Sequence, residues 1–219
     1  MGRGRAPGYD DQREMILGRA AALFARQGYV GTSMNQVAEA CHLSKATLYH
    51  YYRDKHGLLV SIAEGHVSRL QTLVRELMAR DLPPERRLRE LITAFVREYA
   101  GAQHAHRVLT EDVKFLEPAA RERILDTERE VVAGFARAVA AVRPELQNAA
   151  LAKPMAMLLF GMINWMFTWM RPDGTLDHDA MAPVVADLFV GGLAAVDPAH
   201  ATRAALALEH HQRHQPLET

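Results

Sequence analysis

At 219 residues the chain is long enough for one large domain or two small ones. A composition 49% hydrophobic and 24% charged is that of an ordinary globular protein. A formal net charge of zero taken alone argues against a nucleic-acid partner, and the single cysteine, Cys41, excludes an intrachain disulfide framework and fits a reducing compartment.

The charge is unevenly placed. Residues 1–56 carry eight basic side chains against five acidic ones, so this segment is +3 and the remainder is −3. A basic head on an acidic body permits a nucleic-acid reader joined to a separate sensing or assembly domain. The first residues, Met1-Gly2-Arg3-Gly4-Arg5-Ala6-Pro7-Gly8, lack the apolar core of a signal peptide, which points to a cytoplasmic protein. Residues 1–10 are expected to form a disordered basic arm. Arg3 and Arg5 could meet a phosphate or a minor groove, and a merely soluble tail explains them as well.

Periodicity and proline divide the rest into about nine or ten helices with no convincing strand. The first spans 11–27, with Ile16, Ala20, Leu23 and Phe24 inward. Two short helices follow around a tight turn. Over 33–41, Met34, Val37, Ala38 and Cys41 form one apolar face at i, i+3, i+4 and i+7. Ser44 is a natural N-cap for 45–52, whose Leu48 and part of Tyr52 are all it has to bury. Lys45, Thr47, Tyr49, His50 and Tyr51 are left to be presented, the pattern of a helix-turn-helix whose second helix enters a DNA major groove. Cys41, on the apolar face, reads as a small buried hydrophobe.

A long amphipathic helix is predicted over 54–80, and Pro83-Pro84 starts another through Leu88, Leu91, Ile92, Phe95, Val96 and Tyr99. A shorter one covers 107–116, Pro118 opens one running to 142, and a further helix covers 146–170. Arg171-Pro172-Asp173-Gly174 has turn chemistry, 179–196 is helical, and Asp197-Pro198 begins a last helix entering a His-rich tail.

In order, Ile16-Leu17, Ala21-Ala22-Leu23-Phe24, Gly28, Thr32-Ser33, Val37-Ala38, Leu43-Ser44-Lys45, Leu48-Tyr49 and Lys55-Leu58-Leu59 resemble the N-terminal signature of TetR-family transcriptional regulators. The resemblance implies an all-α homodimer with a three-helix DNA-binding head (11–56), a ligand-binding and dimerisation domain (57–205) and a tail (206–219). It implies a double-stranded DNA operator and a small-molecule effector as partners, and the residues themselves lead to the expectation of no cofactor, no metal and no membrane. Thr32, Ser33 and Ser44 would cap helices and could meet phosphates. Lys45, Ala46 and Thr47 would reach base edges, Lys45 toward guanine and the Ala46 or Thr47 methyl toward thymine. Tyr49 and Lys55 match positions that grip the DNA backbone, and His50 and Tyr51 complete the presented surface. Two positions depart from the family: His42 stands where glycine is usual in the turn, and Tyr51 where histidine is common.

From Met155 to Met170 nearly every residue is apolar, and a helix apolar all round must be covered on all sides. Lys153-Pro154 cuts the run below the roughly 20 residues a bilayer needs, so burial between two subunits is preferred. Met155, Leu158, Met162, Trp165 and Trp169, with Met181, Val185, Leu188, Phe189 and Gly192 at matching spacing, are the expected four-helix dimer interface. Arg107, Asp112, Phe115, Phe135, Phe160, Asn164 and Phe167 are candidates to line an effector cavity, with plain core as the alternative. The region from Trp165 to Gly174 is similar to members of the family that sense acyl-CoA thioesters. His210, His211 and His214 read as a polar tail rather than a metal site. No hydrolase elbow, phosphate-binding glycine loop, HExxH or paired-cysteine pattern occurs, so an enzyme is not expected. An acyl-thioester-processing protein or a helical adaptor are the competing readings.

Overall fold

The helix boundaries follow from local chemistry. A computed structural model describes residues 8–170 and 175–199, and among them it contains ten α-helices, one 3-10 turn and no strand, an all-α chain. After α1 (Tyr9–Gln27), α2 (Met34–Ala40) opens with a capping box. Ser33 Oγ accepts the Gln36 amide at 3.3 Å while Gln36 Oε1 accepts the Ser33 amide at 2.8 Å. Ser44 caps α3 (Lys45–Tyr51), its Oγ accepting the Thr47 amide at 3.0 Å. There follow α4 (Lys55–Ala79), α5 (Pro84–Gly101), α6 (Gln103–Glu111), the 3-10 turn Val113–Phe115, α7 (Pro118–Val142), α8 (Pro144–Asn148), α9 (Ala152–Trp169) and α10 (His178–Leu193). Pro84, Pro118 and Pro144 each take the first helical position, where no intrahelical donor is lost.

Two predicted helices are in fact broken. The one expected over 107–116 begins at Gln103, ends at Glu111 and continues as the 3-10 turn. The one expected over 146–170 is two helices, because the chain turns at Ala149–Leu151. There Leu151 N–H donates to Leu146 C=O at 2.7 Å and Ala150 N–H to Gln147 C=O at 3.0 Å, the Schellman pattern, with Ala150 left-handed at φ 57°. The same motif ends α2: Leu43 N–H reaches Ala38 C=O at 2.9 Å, His42 N–H reaches Glu39 C=O at 3.0 Å, and His42 has φ 54°. Most of the basic arm, the 171–174 turn and the segment from 200 through the His-rich tail lie outside the described residues.

The chain forms two compact units. The first joins residues up to 71 with 99–128, the second 72–98 with residues from 129 on. In the first, Ile16, Phe24, Val37, Leu48 and Tyr52 share one core with Leu58, Leu59, Ile62 and Val67 of α4, Val108 and Leu109 of α6, and Ile124 of α7. The core therefore does not stop at residue 56 but continues into α4, α6 and α7. In the second unit Phe95, Phe135 and Phe160 pack edge to face or tilted, with centroids 4.6, 5.0 and 6.0 Å apart. A Cβ at Gly134 of α7 would lie 2.3 Å from Val74 Cγ1 of α4, so only glycine permits this helix approach. Arg97 bonds Asp179 at 2.6 Å and Arg89 bonds Asp187, tying α5 to α10.

A left-handed non-glycine residue costs about 1–2 kcal/mol, less for histidine than for alanine, and glycine gives part of that back as unfolded-state entropy. Ala150 is exposed, so Ala150→Gly loses no packing and should raise the unfolding free energy by roughly 0.5–1 kcal/mol. His42→Gly should gain less. Urea unfolding checks both, and a lower midpoint for Ala150→Gly would disprove the strain.

Candidate functional site

The surface of α3 is built by what it buries. Leu48 is 0% exposed and Tyr52, just past the helix, is 6% exposed, with the Arg13 guanidinium 5.7 Å from the Tyr52 ring centroid. These anchors leave Lys45, Ala46, Thr47, Tyr49 and His50 exposed. The Thr47 hydroxyl lies 2.8 Å from Ser44 Oγ and is engaged at the cap, which leaves its methyl as the group for a base edge. Lys45 Nζ sits 5.9 Å from the Tyr49 ring, a cation beside an aromatic. Ser33 and Ser44 are both exposed at the helix N-termini they cap. The result is a cationic, aromatic and hydroxyl-bearing ridge of major-groove dimensions.

Three of the residues assigned to DNA contact do something else. Thr32 is 2% exposed: its hydroxyl donates to Gly28 C=O at 2.9 Å and accepts from Gln27 Nε2 at 3.1 Å. It closes the α1–α2 loop and has no surface for a phosphate. Lys55 is turned inward. Its ammonium donates to the carbonyls of Tyr29 (2.8 Å), Val30 (3.3 Å) and Thr32 (2.8 Å) and lies 4.4 Å from the Tyr29 ring. All three N–H bonds are committed, so Lys55 staples the loop to the start of α4 rather than gripping a phosphate. Tyr51 is half-buried, stacked on Tyr9 at 4.8 Å, and His50 meets its edge at 5.7 Å.

The effector candidates do not form one lining. Arg107 is exposed and paired with Glu111 at 3.0 Å, Asp112 is buried, and Phe115 stacks on Tyr29 at 5.4 Å, all in the first unit. Burial, with Glu111 beside it, raises the Asp112 carboxyl above its usual range. Phe135 and Phe160 belong to the packed aromatic core of the second unit, and Asn164 is exposed on α9. The side chain of Phe167 lies outside the described residues. A cleft of about 500 Å³ among α1, α4 and the α5–α6 junction is lined in part by Leu17, Ala21, Ile62, Arg69 and Ala105, and by none of these seven.

One polar cluster was not anticipated. His66 is 0% exposed, with Nε2 3.2 Å from His106 Nδ1, and Tyr99 stacks on His106 at 3.8 Å. Burial, reinforced by His106 and Arg69, lowers His66 to about 3, so it stays neutral at physiological pH. Its signal in the sequence is register: His66 lies four residues from both Ile62 and Leu70 on the apolar face of α4. Among the described residues no three His, Cys, Asp or Glu side chains gather as metal ligands, and no helix is long and apolar enough to cross a membrane.

Nor is α9 buried all round. Ala156, Leu159, Phe160, Ile163 and Met166 face the core, while Leu158 (60%), Trp165 (67%) and Trp169 (51%) are exposed. On α10, Val184 and Leu188 are exposed and Gly192 lies at the surface, whereas Val185 and Phe189 are buried in their own unit. Val185 and Phe189 are thus core rather than contact residues. Met155, Met162 and Met181 are half-buried at the edge.

Residues 16–62 match the family described as bacterial regulatory proteins, tetR family, and residues 81–193 match the tetracyclin repressor-like C-terminal domain. The transcriptional repressor KstR2 of Rhodococcus jostii is 27% identical over 194 residues, 85% of this chain and 93% of that protein. A TetR-family transcriptional regulator from Bordetella parapertussis has the same fold with TM-score 0.77 and 36% identity, covering 83% of this chain and 95% of that one. AibR in complex with isovaleryl coenzyme A and operator DNA superposes with TM-score 0.69 at 26% identity, covering 83% of this chain and 97% of that one.

The geometry of Lys55 changes what its removal should do. Lys55→Ala strips three carbonyls of a charged donor and should cost about 1–3 kcal/mol in urea unfolding. The salt dependence of DNA binding should keep its slope, because no phosphate contact is lost. An unchanged stability with a slope reduced by about one would restore the phosphate role.

Proposed function

We infer that this chain, which belongs to the TetR family of DNA-binding transcriptional regulators, is a homodimeric repressor that occludes an inverted-repeat operator and is released by an acyl-CoA thioester. The single observation that carries the reading is α3. Its one fully buried side chain, Leu48, fixes it to the core, and Lys45, Ala46, Thr47 and Tyr49 are left exposed on a rigid helix. Lys45 offers donors to guanine, Ala46 and the Thr47 methyl offer apolar contact to thymine, and Ser33, Ser44, Tyr49 and His50 position the duplex through its phosphates.

Repression is supported by the 27% identical KstR2, which carries that role in its name. The effector class is supported by the similarity to AibR, whose structure contains isovaleryl coenzyme A together with operator DNA. The dimer reading is supported by the outward apolar residues of α9 and α10, where Leu158, Trp165, Trp169, Val184 and Leu188 are all exposed, and large apolar groups left exposed together mark interaction sites. Two such helices from each subunit would close a four-helix interface with two-fold symmetry. That symmetry sets two α3 helices about one DNA turn apart, roughly 34–36 Å. Acyl-CoA then acts only if it binds the form with the wrong spacing more tightly.

Three experiments test this. Genomic DNA fragments retained by the purified protein should share an inverted repeat, and isovaleryl-CoA, but not free CoA, should release them. Lys45→Ala should cost about 1–3 kcal/mol at guanine-bearing operators and little at others. Retention of every fragment alike would sink the reading. In sedimentation, Leu188→Asp and Trp165→Asp should give folded monomers, since both side chains are exposed in the single chain. Phe189→Asp should instead unfold the second unit, and intact dimers for the first two would refute this interface.

A further inference from the structure

The α1–α2 loop, residues 28–33, decides where α2 begins and therefore how α3 is carried. On one side it is stapled by Lys55 through the carbonyls of Tyr29, Val30 and Thr32. On the other side it meets residues that belong to no DNA-reading helix. The Tyr29 ring stacks on Phe115 at 5.4 Å with an interplanar angle of 26°, and the Tyr29 backbone favours the charged form of the buried Asp112 carboxyl beside it. Lys114 Nζ lies 5.2 Å from the Phe115 ring. Asp112 ends α6 and Phe115 ends the 3-10 turn, held by Phe115 N–H to Asp112 C=O at 2.9 Å and Leu116 N–H to Val113 C=O at 3.1 Å. All of these residues lie within the first compact unit.

We propose that Asp112 and Phe115 are positioning residues of the DNA interface: together they latch Tyr29, and through it the start of α2 and the placement of α3. The inference rests on the DNA-binding reading above. Its physical basis is that Tyr29 is held from both sides, by Lys55 at its carbonyl and ring and by Phe115 stacked on that ring, with the buried Asp112 beside its backbone. The latch is also a weak one. Phe115 is 39% exposed, so its stacking is not enforced by burial, and the buried Asp112 carboxylate is opposed by its own desolvation. A contact of this kind can be undone without breaking the core formed by Leu48, Leu58 and Val108, whose side chains are fully enclosed. A shift of α6 would therefore reach the DNA-reading helices through Tyr29 before it disturbed the fold.

The test uses the full-length chain, an operator fragment recovered as above, and three variants. Phe115→Ala and Asp112→Ala should each weaken operator binding about five- to twenty-fold, the scale of one or two lost polar or stacking contacts, and speed exchange of the Tyr29 amide by a similar factor. Phe115→Ala changes no charge, so its affinity for random-sequence DNA should hold. Asp112→Asn keeps an acceptor oxygen and should restore both operator affinity and slow exchange. A purely structural role would lower the melting temperature and operator and random-DNA binding together, and that outcome overturns the proposal. So does wild-type affinity and wild-type Tyr29 exchange in both alanine variants. If the unmodified chain selects no fragment, the DNA-binding reading fails instead, while Tyr29 exchange in the free protein still decides whether the latch exists.

Discussion

A seven-residue helix has too few internal hydrogen bonds to persist in water, so α3 exists only because something outside it holds it. That hold is the insertion of Leu48 into a core made by α1, α2, α4 and α6, with Ser44 closing the N-terminus and Tyr52 sealing the exit. Everything functional about the segment follows. With one side chain enclosed and the cap satisfied, the remaining positions need not bury anything. They are free to carry a cation, a methyl and aromatic rings at the surface. The first unit is larger than the DNA-reading helices alone: Val108, Leu109 and Ile124 from later in the chain belong to the same buried cluster as Leu48.

Lys55, read from the sequence as a grip on the DNA backbone, is engaged in this structure by the protein's own loop. The loop after α1 turns its carbonyls of residues 29, 30 and 32 toward one point, and of these only the Tyr29 carbonyl also accepts a backbone amide, Thr32 N–H at 3.3 Å. An ammonium on the first turn of α4 supplies three donors at once. A phosphate would have to compete with carbonyls already at 2.8 Å. Thr32 belongs to the same closure, its hydroxyl spanning Gly28 and Gln27. The loop is thus a rigid joint, and rigidity between α1 and α2 is what allows α3 to be aimed.

The second unit has a different logic. Its aromatic core of Phe95, Phe135 and Phe160 is dense, and the charged pairs Arg97–Asp179 and Arg89–Asp187 set α10 against α5. Here the hydrophobic excess is not all inside. α9 shows its core residues on one side and Leu158, Trp165 and Trp169 on the other, a division no count of apolar residues reveals. Large exposed aromatics are costly to leave in water, and a second subunit on that outer side would cover them.

How much was legible in the residues themselves can be seen element by element. Ser33, Ser44 and the prolines at 84 and 118 act within a few residues of their own position, so those caps and helix starts could be read directly, as could Leu48 with part of Tyr52 as all that α3 buries. The break at Ala150 could not, because alanine carries no local preference for a left-handed turn and takes it only when the packing of α8 against α9 demands it. The same holds for side chains whose partners lie far along the chain. Lys55 and Tyr29 are 26 residues apart, His66 and His106 are 40 apart, and Asp112 finds Tyr29 across most of the first unit. Local chemistry determined the helices and the outward chemistry of α3. Only the tertiary structure decided which polar groups were spent on holding them, because hydrogen-bond partners distant in sequence are chosen by packing.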